Sequence, residues 1–325
     1  MGAGLATSEW WEQYYRQQHD TYWDWYLPNE IVVRTILDEA RAQCGGARGD
    51  AEEDEDDQEA GGSDEEQEAS SAASSNAAAA AASPAQSASS ASASSADSES
   101  RLAHLPCLQL GCGNSEVTAD LWEAGLRSMR NVDFSVECIE RMRVLQRSKG
   151  WRCADQSEAE AAAADAATPT SGGVVAAPAS PLPATWPLFE AMDVRSLRYP
   201  SSSFSLVFDK GTLDCVVLES ADSVASARAM LREVHRVLRP GGASVCFSLY
   251  PPPARARFWI DVLAEDEGGE SQQEKDELCE VLQADNPPAI IQTAAWQSIR
   301  MVALDCSPLE LPNQAHTYLY IAIKR

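Results

Sequence analysis

From Leu105 onward the apolar positions follow two alternating rhythms. Short apolar runs at Leu105–Leu110, Met129–Phe134, Pro187–Met192, Ser205–Asp209 and Ala243–Leu249 have the length of buried strands. Between them lie segments with apolar residues at helical spacing: Glu116–Ala124, ended at Gly125, then Val136–Arg147, Ser223–Leu238 and Arg255–Ala264. The longest of these, Ser223–Leu238, is expected to stop at Pro240-Gly241-Gly242. Gln297–Leu304 and Thr317–Lys324 then alternate with period two and no helix between them, which predicts a closing antiparallel pair. Strand–helix alternation of this kind predicts a mostly parallel sheet with helices on both faces. The expectation is an α/β, Rossmann-like, seven-stranded, mostly parallel sheet with an antiparallel C-terminal hairpin.

Two stretches lack either rhythm. Residues 45–103 are first rich in Asp and Glu, then almost entirely Ala and Ser, and 154–185 is a second Ala/Pro/Gly/Ser segment. Neither has enough large apolar side chains to offset the entropy of ordering it, so both are expected to be disordered insertions. Without them about 230 residues remain, the size of one domain. The resulting division is an N-terminal aromatic helical lid (1–44), the acidic and Ala/Ser-rich insertion (45–103), and a catalytic domain (104–325) interrupted at about 154–185. A further acidic stretch, Glu265–Glu277, is expected to be a surface loop.

Charge narrows the partners. The net charge is −25, and twelve acidic residues between Asp50 and Glu68 account for about half of it. Such a chain lacks the basic footprint of a nucleic-acid binder, whereas a basic protein would suit it. No apolar run reaches membrane-spanning length and no secretory signal opens the chain, so a cytoplasmic protein is expected. Nine scattered cysteines without a C-x-x-C pair, and four histidines in no ligand pattern, predict reduced thiols and no metal. His235 is expected to be packed or exposed rather than catalytic.

The candidate chemistry gathers at strand ends. Gly111-Cys112-Gly113-Asn114-Ser115 follows the first strand directly and leads into a helix, a turn in which glycine lets backbone approach a ligand. The second strand ends at Asp133, twenty-two residues after Gly111, where a carboxylate can accept both hydroxyls of a ribose. Asp133 could instead cap the next helix, although Ser135 is placed for that work. A dinucleotide fingerprint would need glycine at position 116, which is Glu. A pyrophosphate would meet that carboxylate, which disfavours NAD. Met192-Asp193-Val194 and Phe208-Asp209-Lys210-Gly211-Thr212-Leu213-Asp214 close the third and fourth strands. Three acidic strand ends, at 133, 193 and 209, thus face one edge of the predicted sheet.

LQLGCGNS, NVDFS, MDVRSL, FDKGTLD and EVHRVLRPGG, in that order, resemble the class I methyltransferases that modify lysines of translation elongation factor 1-alpha. FDKGTLD is the most specific of these strings, and HTYLYIAIKR is similar to the family's last strand. The resemblance covers about 10–45, 105–153 and 186–260; the two insertions and the stretch around 265–300 depart from it. It implies S-adenosyl-L-methionine as cofactor and a protein-lysine acceptor on the elongation factor. The cofactor contacts expected from the strand ends and this resemblance are Gly111, Gly113, Asn114, Asp133, Phe134, Asp193, Val194 and Lys210. It also places Trp11, Tyr15 and Trp25 over the cofactor, where aromatic faces attract a sulfonium cation by about 0.5–2 kcal/mol. Asp209 and Asp214 are the expected catalytic residues, orienting the acceptor amine. An N-terminal-amine or small-molecule methyltransferase, a spermidine-synthase-like aminopropyl transferase and a non-catalytic cofactor-binding scaffold are the alternatives.

Overall fold

The computed structural model describes residues 8–17, 27–45, 97–150, 187–219, 223–263, 268–284, 288–306 and 316–325. The helices are α1 (Ser8–Gln17), α2 (Asn29–Gln43), α3 (97–103), α4 (Val117–Glu123), α5 (Val136–Ser148), α6 (Thr212–Glu219), α7 (Ser223–Val237), α8 (Pro252–Ile260) and α9 (Gln272–Leu282). The strands are β1 (Cys107–Leu110), β2 (Met129–Asp133), β3 (Leu188–Ala191), β4 (Phe204–Lys210), β5 (Leu238–Ser248), β6 (Ile290–Ile291), β7 (Trp296–Asp305) and β8 (His316–Lys324). They form one sheet in the order β3-β2-β1-β4-β5-β8-β7-β6. The first five run parallel, and β8, β7 and β6 add antiparallel. The predicted seven strands are therefore eight, the addition being the two-residue edge strand Ile290–Ile291, too short to leave a period in the sequence.

Successive residues of the central strands enter opposite halves of the core, as the period of two requires. Leu206 and Phe208 of β4 pack with Val245 and Phe247 of β5 and with Leu319 and Ile321 of β8. Val207, Cys246, Tyr320 and Ala322, one residue out of step, pack on the other face with Met230, Leu231 and Trp259. Both faces are covered by helices, which is why β1 and β4 are buried along nearly their whole length. Helix α2 supplies Val32, Ile36, Leu37 and Ala40 to the first face. It is a helix of the sheet layer and not part of a lid. Leu102 of α3 joins the same cluster, so the chain is already ordered at 97, inside the predicted 45–103 insertion.

Two other local expectations change. Pro240-Gly241-Gly242 does not end α7; the helix stops at Val237 and β5 begins at once, with the register against β4 shifting between Phe204 and Leu206. The pairing of Leu238 with Phe204 holds this stretch in the strand, and Gly241 at φ 75° accommodates the irregularity. Within the acidic stretch Glu265–Glu277, a helix begins at Gln272, capped by a Ser271/Glu274 box in which each side chain meets the other's backbone N–H. Thr212–Glu219 is likewise helical. The remainder of the two predicted insertions lies outside the described residues. No described helix is long and apolar enough to cross a membrane.

Candidate functional site

Strand order reverses at β1, which has β2 on one side and β4 on the other. The crevice beyond the carboxyl ends of β1 and β4 is where open α/β sheets bind ligands. Thr212 Oγ1 at the start of α6 donates to Leu110 O at the end of β1, 2.9 Å away, and fixes the two sides of this crevice. Gly111 has φ 56°, and a Cβ there would lie 2.1 Å from Thr212 Oγ1. Gly111→Val is therefore expected to lose soluble folded protein, read as a lower melting temperature together with lost cofactor binding.

The turn then meets Asp133. Gly113 N–H donates to Asp133 Oδ2 at 3.0 Å and Ser135 N–H to Oδ1 at 3.0 Å. Ser135 caps α5 by accepting from Cys138 N–H at 3.1 Å, so the cap and the acid are separate residues. Burial pushes the Asp133 carboxyl up to about 6, against the two backbone donors that lower it. Phe134 beside it keeps 39% of its surface exposed. An apolar side chain is thus left open to solvent next to the acid.

Helix α1 lies on this turn. Tyr15 is buried, and its hydroxyl would be 3.2 Å from a Cβ at Gly113. Trp11 stacks on Tyr15 with ring centroids 5.8 Å apart, and both pack with Cys112, Cys138 and Ile139. Glu12 accepts from Val136 N–H at 3.1 Å, tying α1 to the first turn of α5. Glu12 was not among the expected residues. The i, i+4 spacing of Trp11 and Tyr15 gives the buried face of α1, but nothing in the sequence couples residue 12 to residue 136. Trp25 lies outside the described residues.

The other expected residues divide. Asn114 is buried in the same turn. Asp193 is half-exposed and held by the Arg195 guanidinium at 2.9–3.1 Å; burial raises its pKa, the arginine outweighs this, and the carboxyl stays below its usual range. Val194 is buried in the core. Asp209, at the end of β4, is buried and accepts from Leu213 N–H at 3.1 Å. Burial pushes its carboxyl up to about 7. Lys210 follows it, half-buried. Asp214 sits apart from the glycine turn. Both its oxygens are engaged, Oδ1 by Ser248 Oγ at 2.6 Å and Arg255 Nε at 2.9 Å, and Oδ2 by Leu249 N–H at 2.9 Å. Arg255 lies over the Tyr250 ring, 3.8 Å from its centroid, and Tyr320 Oη donates to Tyr250 O at 2.7 Å. This buried network pins the segment after β5. Asp214, expected to orient an acceptor amine, is thus engaged by an arginine forty-one residues further along the chain. His235 packs edge-on to Trp296, and its Nε2–H donates to Ala295 O at 3.2 Å; desolvation lowers it to about 4, so it is neutral near pH 7.

A family model described as a methyltransferase domain matches residues 175–246, from ahead of β3 to the end of β5. This match, with the parallel sheet and its switch-point turn, makes the segment similar to the class I methyltransferases. Within that class its matched segments are similar to enzymes named for the elongation factor. The eEF1A lysine and N-terminal methyltransferase of Homo sapiens is 30% identical over 143 residues, 44% of this chain and 16% of that protein. EEF1A lysine methyltransferase 4 of Bos taurus is 30% identical over 159 residues, 47% of this chain and 49% of that protein. The matches thus span half or less of these relatives. Among solved structures, the N-methyltransferase NodS from Bradyrhizobium japonicum WM9 in complex with S-adenosyl-L-homocysteine is 15% identical, with a TM-score of 0.38, covering 68% of this chain and 78% of that one.

Proposed function

We propose that this chain transfers a methyl group from S-adenosylmethionine to a lysine of a protein, with translation elongation factor 1-alpha as the substrate. The observation that carries the cofactor half is the buried Asp133 carboxylate, held by Gly113 and Ser135 at the switch point with the aromatic face of α1 above it. The residues present suit a nucleoside with a sulfonium. Each Asp133 oxygen accepts one backbone N–H and keeps a lone pair for a ribose hydroxyl. Phe134 offers an apolar surface for a base, and Trp11 and Tyr15 supply π-faces for a cation. Glu116, paired with Lys149 at 3.5 Å, keeps a carboxylate where a pyrophosphate would need donors. The similarity to the elongation-factor enzymes supports the substrate half.

When bound, the cofactor supplies an electrophilic methyl for in-line displacement at carbon. The chain's residues then have to hold the acceptor in line and keep it neutral. A lysine with a pKa of about 10.4 needs roughly 4.6 kcal/mol to lose its proton at pH 7. Aromatic walls lower that requirement by desolvating the ammonium, and the nearby sulfonium charge acts in the same direction. Asp209, anchored to Leu213 N–H, holds the Lys210-Gly211-Thr212 turn at the crevice and would orient the acceptor there.

Asp209→Asn is expected to lower turnover about ten- to hundredfold while leaving cofactor affinity nearly unchanged. The same variant carries a pH signature. The folded-state value of about 7 lies above the unfolded value of about 3.9, so the native state holds the extra proton between them. That contribution to stability is complete below pH 4 and disappears as the pH rises through 7. Denaturation from pH 4 to 8 should show a steeper loss of stability in the wild type than in Asp209→Asn, the contribution of Asp133 being common to both. Collapse of cofactor affinity would instead place Asp209 among the cofactor contacts.

The activity is tested by incubating the protein with methyl-labelled S-adenosylmethionine and purified elongation factor, then locating the label by mass spectrometry. Label on a lysine supports the proposal. Label on the N-terminal amine, or on another lysate protein only, removes its substrate half, and cofactor binding without transfer to any protein removes its catalytic half.

A further inference from the structure

Cys138 has no part in the proposed reaction, yet it stands beside the cradle. Its Sγ, the Sγ of Cys112 and a carboxylate oxygen of Asp133 all lie within 4.8 Å of one another. The three residues come from the β1 turn, the end of β2 and the first turn of α5, and all are buried. Tyr15 closes the cluster, packed with both cysteines. The charges acting most strongly on the two thiols and the acid are Asp133 itself and Glu12, both acidic. Desolvation raises both thiols and the carboxyl.

The geometry points to a second use of this cradle: Cys112, Cys138 and Asp133 form a zinc-class metal site whose occupation excludes the cofactor. Two thiolates and a carboxylate are a donor set for a borderline-soft divalent ion. Zinc bonds of about 2.3 Å to sulfur and 2.0–2.2 Å to oxygen place neighbouring donors roughly 3.5–3.8 Å apart, so the three atoms need to close by about 1 Å at most. Rotation of two cysteine side chains supplies such a shift. Binding forms two metal–sulfur bonds and one metal–oxygen bond, and the two thiol protons leave to water. No oxidant or reductant is involved, and a water or the Tyr15 hydroxyl takes the fourth position. The exclusion follows because the metal takes the lone pair of one Asp133 oxygen, so the carboxylate can no longer accept both ribose hydroxyls, and this part rests on the cofactor reading above.

The test uses the full chain with a non-thiol reductant and cobalt(II) as the probe. One equivalent of cobalt is expected to produce thiolate charge-transfer and tetrahedral ligand-field bands, which zinc bleaches. Cys138→Val and Cys138→Ser should each abolish the bands. Valine is close in volume to cysteine, so cofactor affinity is expected to hold within about threefold. The partly exposed Cys44, Cys215 and Cys279 are common to all these proteins and cancel in the comparison. In the wild type, zinc at about ten times its own Kd should weaken cofactor binding about tenfold by simple competition, with no such effect in Cys138→Val. Absent bands, or bands that persist in both variants, overturn the site. So does a Cys112–Cys138 disulfide found without reductant in a protein that binds no cobalt with it. Bands lost on substitution with cofactor affinity indifferent to zinc overturn the exclusion. A chain that never binds S-adenosylmethionine but gives the bands would sink the proposed cofactor and leave the metal site standing.

Discussion

Arg255→Ala is expected to destabilise the protein by about 3–5 kcal/mol, the cost typical of leaving one partner of a buried ion pair alone. The Arg255 and Asp214 side chains are only 5% and 3% exposed, and their Nε–Oδ1 contact is 2.9 Å. Removing the guanidinium leaves Asp214 with Ser248 and Leu249 as its partners but no compensating charge. It also opens a gap beneath Tyr250. For a domain of this size, the melting temperature should fall by roughly 10 °C. Chemical denaturation at pH 7 checks the free energy, and a loss below about 1 kcal/mol would mean that water reaches Asp214. The double replacement Asp214→Leu with Arg255→Met should recover most of the stability, because apolar side chains of similar volume need no desolvation repayment. Activity should not recover with it. The segment after β5 borders the crevice, and the ion pair holds that segment through Leu249 N–H.

The second large effect concerns the cofactor. Asp133→Ala should weaken S-adenosylmethionine binding by about a hundredfold or more, since two charge-assisted hydrogen bonds to ribose at roughly 1.5–3 kcal/mol each are lost together. Calorimetric titration measures this directly, and a circular-dichroism melt separates it from unfolding. A tenfold loss or less would mean that the ribose is held elsewhere. Tyr15→Ala, which uncovers the turn without touching Asp133, should produce a smaller loss and faster cofactor release. The contrast between these variants distinguishes a hydrogen-bonding cradle from a lid.

How much of this was legible beforehand depended on the range of the interaction. β1, β2, β4, β8 and helices α5 and α7 were readable because a strand or helix buried on one face repeats with its own period. The glycine turn and Asp133 were readable for a related reason, since a β-turn-α unit keeps both at fixed offsets along one local motif. Where local signals conflicted with pairing, pairing prevailed. Pro240-Gly241-Gly242 reads as a helix stop, yet β4 draws it into the strand. Helix α9 carries a local start signal in its Ser271/Glu274 box, yet the acidic composition around it resembles solvated loop.

The sequence by itself determined the parallel sheet, the turn at Gly111–Gly113 and the acid that faces it, because each depends on neighbours within one β-α unit. Tertiary structure alone decided what the remaining chemical groups do. Asp214 and Arg255 are forty-one residues apart, Glu12 and Val136 one hundred and twenty-four, and Cys112 meets Cys138 only because β1 and β2 lie side by side. Burial then set the character of the acids, raising Asp133 and Asp209 above ordinary carboxylates. A side chain's identity is written at its own position, whereas its solvation and partners belong to the packed sheet.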